Sequence, residues 1–259
     1  KLNALAGYSW EENNNNNGFQ LTTSDYYDDG LGYYNPGMAN VVDLLGFGNY
    51  YLSTLRMISF YGRLYYTYDS KYIFQATVRR DGSSAFGANN RWATFPSVSA
   101  AWRLSEENFV QDLGIFNDLK VRAGYGVSGN SLGFDVFTAR RGYGATSSFY
   151  TDANGRDLRT LAALRNANPD LRWERTGMLN LGLDFAFLDN RLSGTLEYYT
   201  KNTTDLIYDY AVSTTKYLYS SLTANVGEIN NRGLELTLKF APLRTGSLRW
   251  NTDIVASHN

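Results

Sequence analysis

The sequence predicts an all-β chain forming about nine strands of an antiparallel transmembrane β-barrel, itself larger than the piece these residues supply. Three observations carry that prediction. Apolar and polar residues alternate with period two along most of the 259 residues, as strands with two unlike faces require. Short turns and long connections sort to opposite ends of the strands. Aromatic side chains gather at two separate levels of the outward face.

The first strand covers 1–10, with Leu2, Ala4, Ala6, Tyr8 and Trp10 on one face and Lys1, Asn3 and Ser9 on the other. The second, 55–69, sets Ile58, Phe60, Leu64, Tyr66 and Tyr68 against Ser59, Arg63, Thr67 and Asp69. After a turn at Asp69-Ser70-Lys71 comes 72–80, where Tyr72, Phe74, Ala76 and Val78 alternate with Gln75, Thr77 and Arg79. The fourth, 91–104, places Trp92, Val98, Ala100 and Trp102 opposite Arg91, Ser97, Ser99 and Arg103. A short helix is expected over 105–112, with Ser105 as N-cap and Glu106 and Glu107 in its first turn.

The fifth strand, 119–127, carries Leu119, Val121, Ala123 and Tyr125 against Lys120 and Arg122. In the sixth, 171–187, the apolar face reads Leu171, Trp173, Leu179, Leu181, Leu183, Phe185 and Phe187. Three more follow at 191–201, 233–240 and 247–256 with the same alternation. Nine is odd, whereas bacterial single-chain barrels close on even numbers. Residues 1–259 therefore read as a partial outer-membrane barrel domain.

Connections at 69–71, 189–190 and 241–247 are short, while 11–54, 81–90, 128–170 and 202–221 are long. In antiparallel order the long ones share one end, and only 105–118 is long at the other. Outer-membrane barrels sort their connections this way, so the long ones are expected to be extracellular loops. Tyr66, Tyr68, Tyr72 and Trp102 fall near the short-turn end, and Trp10, Trp92 and Trp173 near the long-loop end. These seven are expected to face lipid as two interfacial girdles. The polar face would line a wide lumen, since a small soluble barrel needs apolar residues inside.

Composition closes off other classes. The chain has 5 Trp, 21 Tyr and 14 Phe, 15% aromatic in all, and Tyr suits a boundary between apolar and wet surroundings. A net charge of −1 speaks against a nucleic-acid partner, which would call for a basic excess. Without cysteine, and with His258 the single histidine, thiol chemistry and most hydrolase templates have no residues to work with. No apolar run is long enough for a membrane helix, which says nothing about membrane strands. The chain opens at Lys1 with no basic or apolar leader to read, so no signal peptide is expected within it.

Several stretches carry a resemblance. Residues 71–109, reading KYIFQATVRRDGSSAFGANNRWATFPSVSAAWRLSEENF, resemble the signature of SusC/RagA-type TonB-dependent outer-membrane transporters of Bacteroidetes. LKVRAGYGVSGN (119–130), NPDLRWERT (168–176), LNLGLDFAF (179–187), RLSGTLEYYTKNTTDLI (191–207) and NVGEINNRGLELTL (225–238) follow in the family's order. The likeness covers roughly 50–259, whereas 11–49, with the tract Asn13–Asn17, fits only as a variable loop. The resemblance implies a barrel of roughly 22 strands around a plug, a TonB-contacting segment and a SusD-like lipoprotein over the mouth. Neither the plug nor the TonB-contacting segment is recognisable in these residues.

Other motifs weigh less. Gly124-Tyr-Gly126-Val-Ser-Gly129 spells a dinucleotide fingerprint, but no helical period follows it to hold a pyrophosphate. Asp152-Ala-Asn154-Gly155-Arg-Asp157 spaces oxygens like a calcium loop without the order or distal glutamate of one. The carboxylate pairs Glu106/Glu107, Glu174/Asp184 and Glu197/Asp205 lack a cleft signature for glycan hydrolysis. Asn202-Thr203-Thr204 is a glycosylation sequon only in form. No catalytic, metal-binding or cofactor-binding residue is therefore expected, and no enzyme.

Arg79 and Arg91, flanking the hairpin top with Asp81, are candidates for contact with substrate or lid. The loop aromatics Tyr33, Tyr34, Phe86, Tyr143, Phe149 and Tyr150 are candidates for stacking on sugars or docking a partner. The resemblance implies import of a large nutrient, glycan or oligopeptide, with a SusD-like lipoprotein, TonB and outer-membrane lipid as partners. A soluble glycan-binding β-sheet module and a passive porin-like barrel are the alternatives.

Overall fold

The computed structural model describes residues 1–16, 22–26, 38–43, 52–131, 133–244 and 249–259. Its main element is a nine-stranded antiparallel sheet whose strands lie side by side in chain order. The strands are β1 (Leu2–Asn16), β4 (Leu52–Tyr68), β5 (Tyr72–Ser83), β6 (Trp92–Arg103), β7 (Phe116–Asn130), β10 (Glu174–Phe187), β11 (Leu192–Thr204), β14 (Glu228–Arg244) and β15 (Arg249–His258). β1 and β15 stand at open edges, so the barrel is not closed within this chain. The nine expected strands are all present and in sequence order.

Three long connections each carry a two-stranded sheet of their own. These are β2 (Thr22–Tyr26) with β3 (Ala39–Asp43), β8 (Gly142–Thr151) with β9 (Asp157–Arg165), and β12 (Ile207–Ala211) with β13 (Ser221–Asn225). The opposite ends are tight. Asp69 and Ser70 have φ of 49° and 55°, the left-handed pair that a two-residue hairpin turn uses to match strand twist. Leu188, Asp189 and Asn190 turn the β10–β11 hairpin with φ of 54–60°. Leu188 has no ready side-chain compensation for that conformation. Residues 245–248, in the last expected turn, lie outside the described residues.

Register assigns the faces. Ala4, Leu64, Ala76, Val98, Tyr125 and Leu179 stand side by side in one outward row. The inward rows hold Arg63 beside Thr77, and Asp184 between Lys120 and Thr195. Val98 is 57% exposed, an inversion of soluble packing that lipid contact accounts for.

The limits of this band are visible in the side chains. At its upper edge Tyr8, Phe60 and Trp92 form an aromatic run, with centroids 5.3 and 6.2 Å apart. One step further up, the outward face turns polar: Arg56 pairs with Glu12 at 2.8 Å and Thr54 bonds Asn14 at 2.8 Å. At the lower edge Tyr68 meets Tyr72 at a tilt, 6.3 Å between centroids, and Tyr72 stacks on Trp102 at 6.0 Å. From Ile58 to Tyr68 the strand runs about 33 Å at ~3.3 Å per residue. Tilted by ~40°, that is ~25 Å, the height of an outer-membrane apolar band.

Glu107 ties the lower aromatic level to its turn. Its carboxylate accepts from the Tyr72 hydroxyl at 2.8 Å, the Trp102 indole at 3.1 Å and the Lys71 ammonium at 3.1 Å. The expected helix over 105–112 is instead a 3₁₀ turn at Leu104–Glu106 followed by α1 (Asn108–Gln111). Neither element has a side-chain cap, and the Ser105 hydroxyl bonds Asp118 at 3.3 Å instead.

Candidate functional site

At the long-loop end the sheet parts. β6 and β7 pair only from Arg103↔Lys120 to Ser97↔Gly126, and the next residue of β6 is Pro96, which has no N–H for the ladder. Above it β6 stays with β5 while β7 stays with β10. A small core of Phe86, Phe95, Leu171 and Trp173 fills the seam. Phe86 meets Trp173 at 4.9 Å, and Phe95 meets it edge-on at 5.5 Å. The Trp173 indole donates to the Arg91 carbonyl at 3.0 Å, and Asn90 donates to the Asp170 carbonyl at 3.1 Å. Gly87 permits this closure, since a Cβ there would stand 1.7 Å from the Pro169 carbonyl oxygen.

Two expectations fail here. Trp173, expected in the lipid-facing girdle, is 4% exposed and inside the seam. β10 begins only at Glu174, so strand alternation does not set the direction of residue 173. Phe86, expected to meet substrate or lid, is 2% exposed and belongs to the same core. The other girdle residues, Trp10, Tyr66, Tyr68, Tyr72, Trp92 and Trp102, lie in outward rows.

Beside the seam, asparagines fasten residues 166–172 to the β12–β13 hairpin. Asn166 donates to the Tyr219 and Ser221 carbonyls at 2.6 and 2.7 Å, and Asn168 to that of Thr223 at 2.9 Å. Asn225 accepts from the Arg172 N–H at 2.9 Å and donates to the carbonyls of Arg172 and Asp205 at 2.7 and 2.8 Å. An Arg172–Asp205 ion pair at 2.6 Å closes the joint. It raises the already high Arg172 pKa further, chiefly through that hydrogen bond.

The Asn166 and Asn225 amides both donate and accept across the joint, standing in for a strand's N–H and C=O. Sequence reading assigned these asparagines no role; the alternating Asn166-Ala-Asn168 was the one available signal. Between this joint and residues 133–138 opens a cleft of about 500 Å³. Asp135, Arg165, Asn166, Asp209, Tyr208 and Tyr219 are among its lining residues. Asp135 and Arg165 pair across it at 3.1 Å. It offers hydrogen bonds and ring faces, the means of binding a polar solute.

The remaining expected site residues are dispersed. Arg79 lies on the inward face, held by Asp81 at 2.7 Å and donating to Ser59 at 2.9 Å. Arg91 is exposed at the head of the hairpin. Tyr143, Phe149 and Tyr150 are exposed on β8, with the Arg159 guanidinium 5.8 Å from the Phe149 ring. Tyr33 and Tyr34 lie outside the described residues.

Gly124, Gly126 and Gly129 sit within β7, and among the described residues no helix follows them. A Cβ on Gly126 would reach 3.0 Å from that of Ser97, so close strand packing accounts for that glycine. Asp152 spends its carboxylate on the backbone N–H groups of Asn154 and Arg156, both at 2.9 Å, turning the β8–β9 hairpin.

Lower on the inward face Asp184 pairs with Lys120 at 2.8 Å and with Arg122 at 3.3 Å. Arg122 also reaches Glu197, which stands opposite Glu235 across β11–β14. Like charges directly opposite destabilise a sheet, and Arg122 offsets this pair from one side.

The chain's likenesses to known proteins agree with this geometry. The model of the TonB dependent receptor-like β-barrel family matches residues 2–258. The chain is 33% identical over 211 residues to the TonB-dependent receptor SusC of Bacteroides thetaiotaomicron, covering 81% of this chain and 21% of that protein. It is 37% identical over 207 residues to the TonB-dependent receptor P39 of Formosa agariphila, covering 80% and 19%. Its fold superposes on the RagAB peptide transporter with a TM-score of 0.80 at 26% identity, over 99% of this chain and 27% of that one. The chain thus spans about a fifth of the length of the curated relatives it matches.

Proposed function

Since this chain belongs to the TonB dependent receptor-like β-barrel family of the outer membrane, we propose that its parent protein imports a large nutrient, a glycan or an oligopeptide. The long-loop end faces outside the cell, and a SusD-like surface lipoprotein covers it. Substrate is held among the loops and the lid, and energy delivered through TonB releases it inward. Binding and gating suffice, and no bond in the substrate need be broken. Arg91, Tyr143, Phe149 and Tyr150 remain the contact candidates, joined by the cleft beside Asn166.

The observation that carries this reading is the contrast between the two faces of the sheet. An outward apolar band about as tall as a bilayer core backs a polar inward face that carries the Lys120–Asp184–Arg122–Glu197 network. A soluble glycan-binding module would need the opposite arrangement. Relatives bear names of the same kind, and the peptide transporter named above supports the oligopeptide branch.

The test is growth on candidate glycans or peptides as sole nutrient, using the full-length gene deleted and then restored. Restored growth that disappears without TonB or without the adjacent lipoprotein is expected. Uptake that persists without TonB would favour a passive pore and overturn the proposal.

A further inference from the structure

On the outward face, at the level of the upper aromatic run, two arginines flank Thr94 from opposite sides. Arg80 stands directly opposite Thr94 in the β5–β6 register, its guanidinium 5.6 Å from the Trp92 ring. Arg175 approaches from β10, across the gap that Pro96 opens, and donates to the Thr94 carbonyl at 3.4 Å. Among the described residues neither arginine has a carboxylate partner.

Next to Arg175 a groove of about 400 Å³ opens on the same face, with Thr200, Asn202 and Thr204 along its far side. Asp205 at its rim is already paired with Arg172. Tyr125 and Leu179 wall this groove and also the next one down, an apolar trough of about 510 Å³. Ala76, Ala100 and Ala123 line that trough between Phe74 and Leu179.

We propose that these two adjoining grooves, with Arg80 above them, bind one molecule of the phosphorylated glycolipid of the outer leaflet, with phosphate on Arg80 and Arg175 and an acyl chain in the trough. Each part of the chemistry points the same way. Planar guanidinium groups match phosphate oxygens with paired, charge-assisted hydrogen bonds. The trough has almost no polar surface, and dispersion contacts reward a chain that fills it. The polar end sits at the membrane boundary and the apolar end toward the midplane, the order in which a lipid presents its own parts. The groove is continuous with the lipid-facing band, so its occupant comes from the membrane. The choice of leaflet rests on the orientation proposed above.

The test uses the full-length receptor extracted from outer membranes and exchanged into lipid-free detergent. Native mass spectrometry should find one lipid A–type molecule retained per chain. In nanodisc rebinding, R80A/R175A should weaken diphosphorylated lipid A by about tenfold or more, the loss of charge-assisted hydrogen bonds. R80K/R175K should recover part of it. A100F/A123F should abolish retention with both guanidinium groups intact, which keeps the inference testable if the alanine pair misfolds. Heat-modifiable gel mobility confirms folding of each variant.

Retention unchanged in R80A/R175A would overturn the site. Equal retention of phosphatidylglycerol would overturn its assignment to the glycolipid. Lipid occupancy is read without any import measurement, so failure here is distinct from failure of the transport reading.

Discussion

The middle of the sheet and its long-loop end obey different rules. Between Phe60 and Tyr68 every second residue of β4 faces outward, and alternation alone assigns each side chain. Arg63 and Leu64 are neighbours in the chain, yet one is compatible only with the inward face and the other with lipid. Above Pro96 the rule lapses. Trp173 carries the outward parity but is buried, because β10 has not begun there and the loop folds onto the β5–β6 hairpin. A period is a property of a continuous strand, and where the ladder stops, packing takes over.

The largest expected effect separates these two regimes. Trp173→Ala removes the centre of the seam core and leaves the Arg91 carbonyl with the Ser83 N–H as its remaining donor. It should cost about 3–5 kcal/mol, the usual range for truncating a buried aromatic. Trp10→Ala, in an outward row, should cost far less. Chemical denaturation of the full-length receptor in lipid vesicles measures both, and similar losses would place Trp173 in the girdle after all.

Next comes a charge set into each face at mid-height. Leu64→Arg should cost about 2–4 kcal/mol, as cationic residues do near the bilayer midplane. Gln75→Arg, inward on the neighbouring strand, should stay within about 1 kcal/mol. The same unfolding measurement decides, and equal costs would reject the assignment of faces.

Asn225→Ala tests the joint at the long-loop end. It leaves the Arg172 N–H and two carbonyls to water in a largely exposed joint, a net loss of about 1 kcal/mol for a replaceable hydrogen bond. The loss should be local: faster hydrogen exchange at Arg172 and along β12–β13, with β7 and β10 unchanged. Acceleration spreading through the main sheet would mean that the joint supports the barrel itself.

The smallest effect is at the short-turn end. The Glu107 carboxyl is held below the usual glutamate range, first by the Tyr72 hydroxyl, then by the Trp102 indole and the Lys71 ammonium. A carboxyl depressed on folding contributes stability above its unfolded value and loses it as pH falls through the folded one. Trp102 emission should therefore hold steady through mildly acidic pH and change only below the ordinary glutamate range. Glu107→Gln should remove that transition. A midpoint at or above the ordinary value would show that the three bonds do not favour the ionised form.

The residues alone determined the strands, their order, the two faces and the sorting of short and long connections. These follow from local alternation and from turn residues such as Asp69-Ser70, and neither needs a distant partner. Residues 171–173 show where local information ends, since Leu171 and Trp173 continue the apolar period in sequence but not in space. Phe86 likewise reads as one more loop aromatic until Gly87 brings the hairpin against Pro169. The asparagine joint, the cleft beside it and the meeting of Arg175 with Thr94 arise between segments far apart in the chain. Only the tertiary structure decided them, because an amide replacing a missing strand, or a guanidinium reaching across a parted ladder, is defined by its neighbour and not by its own place in the sequence.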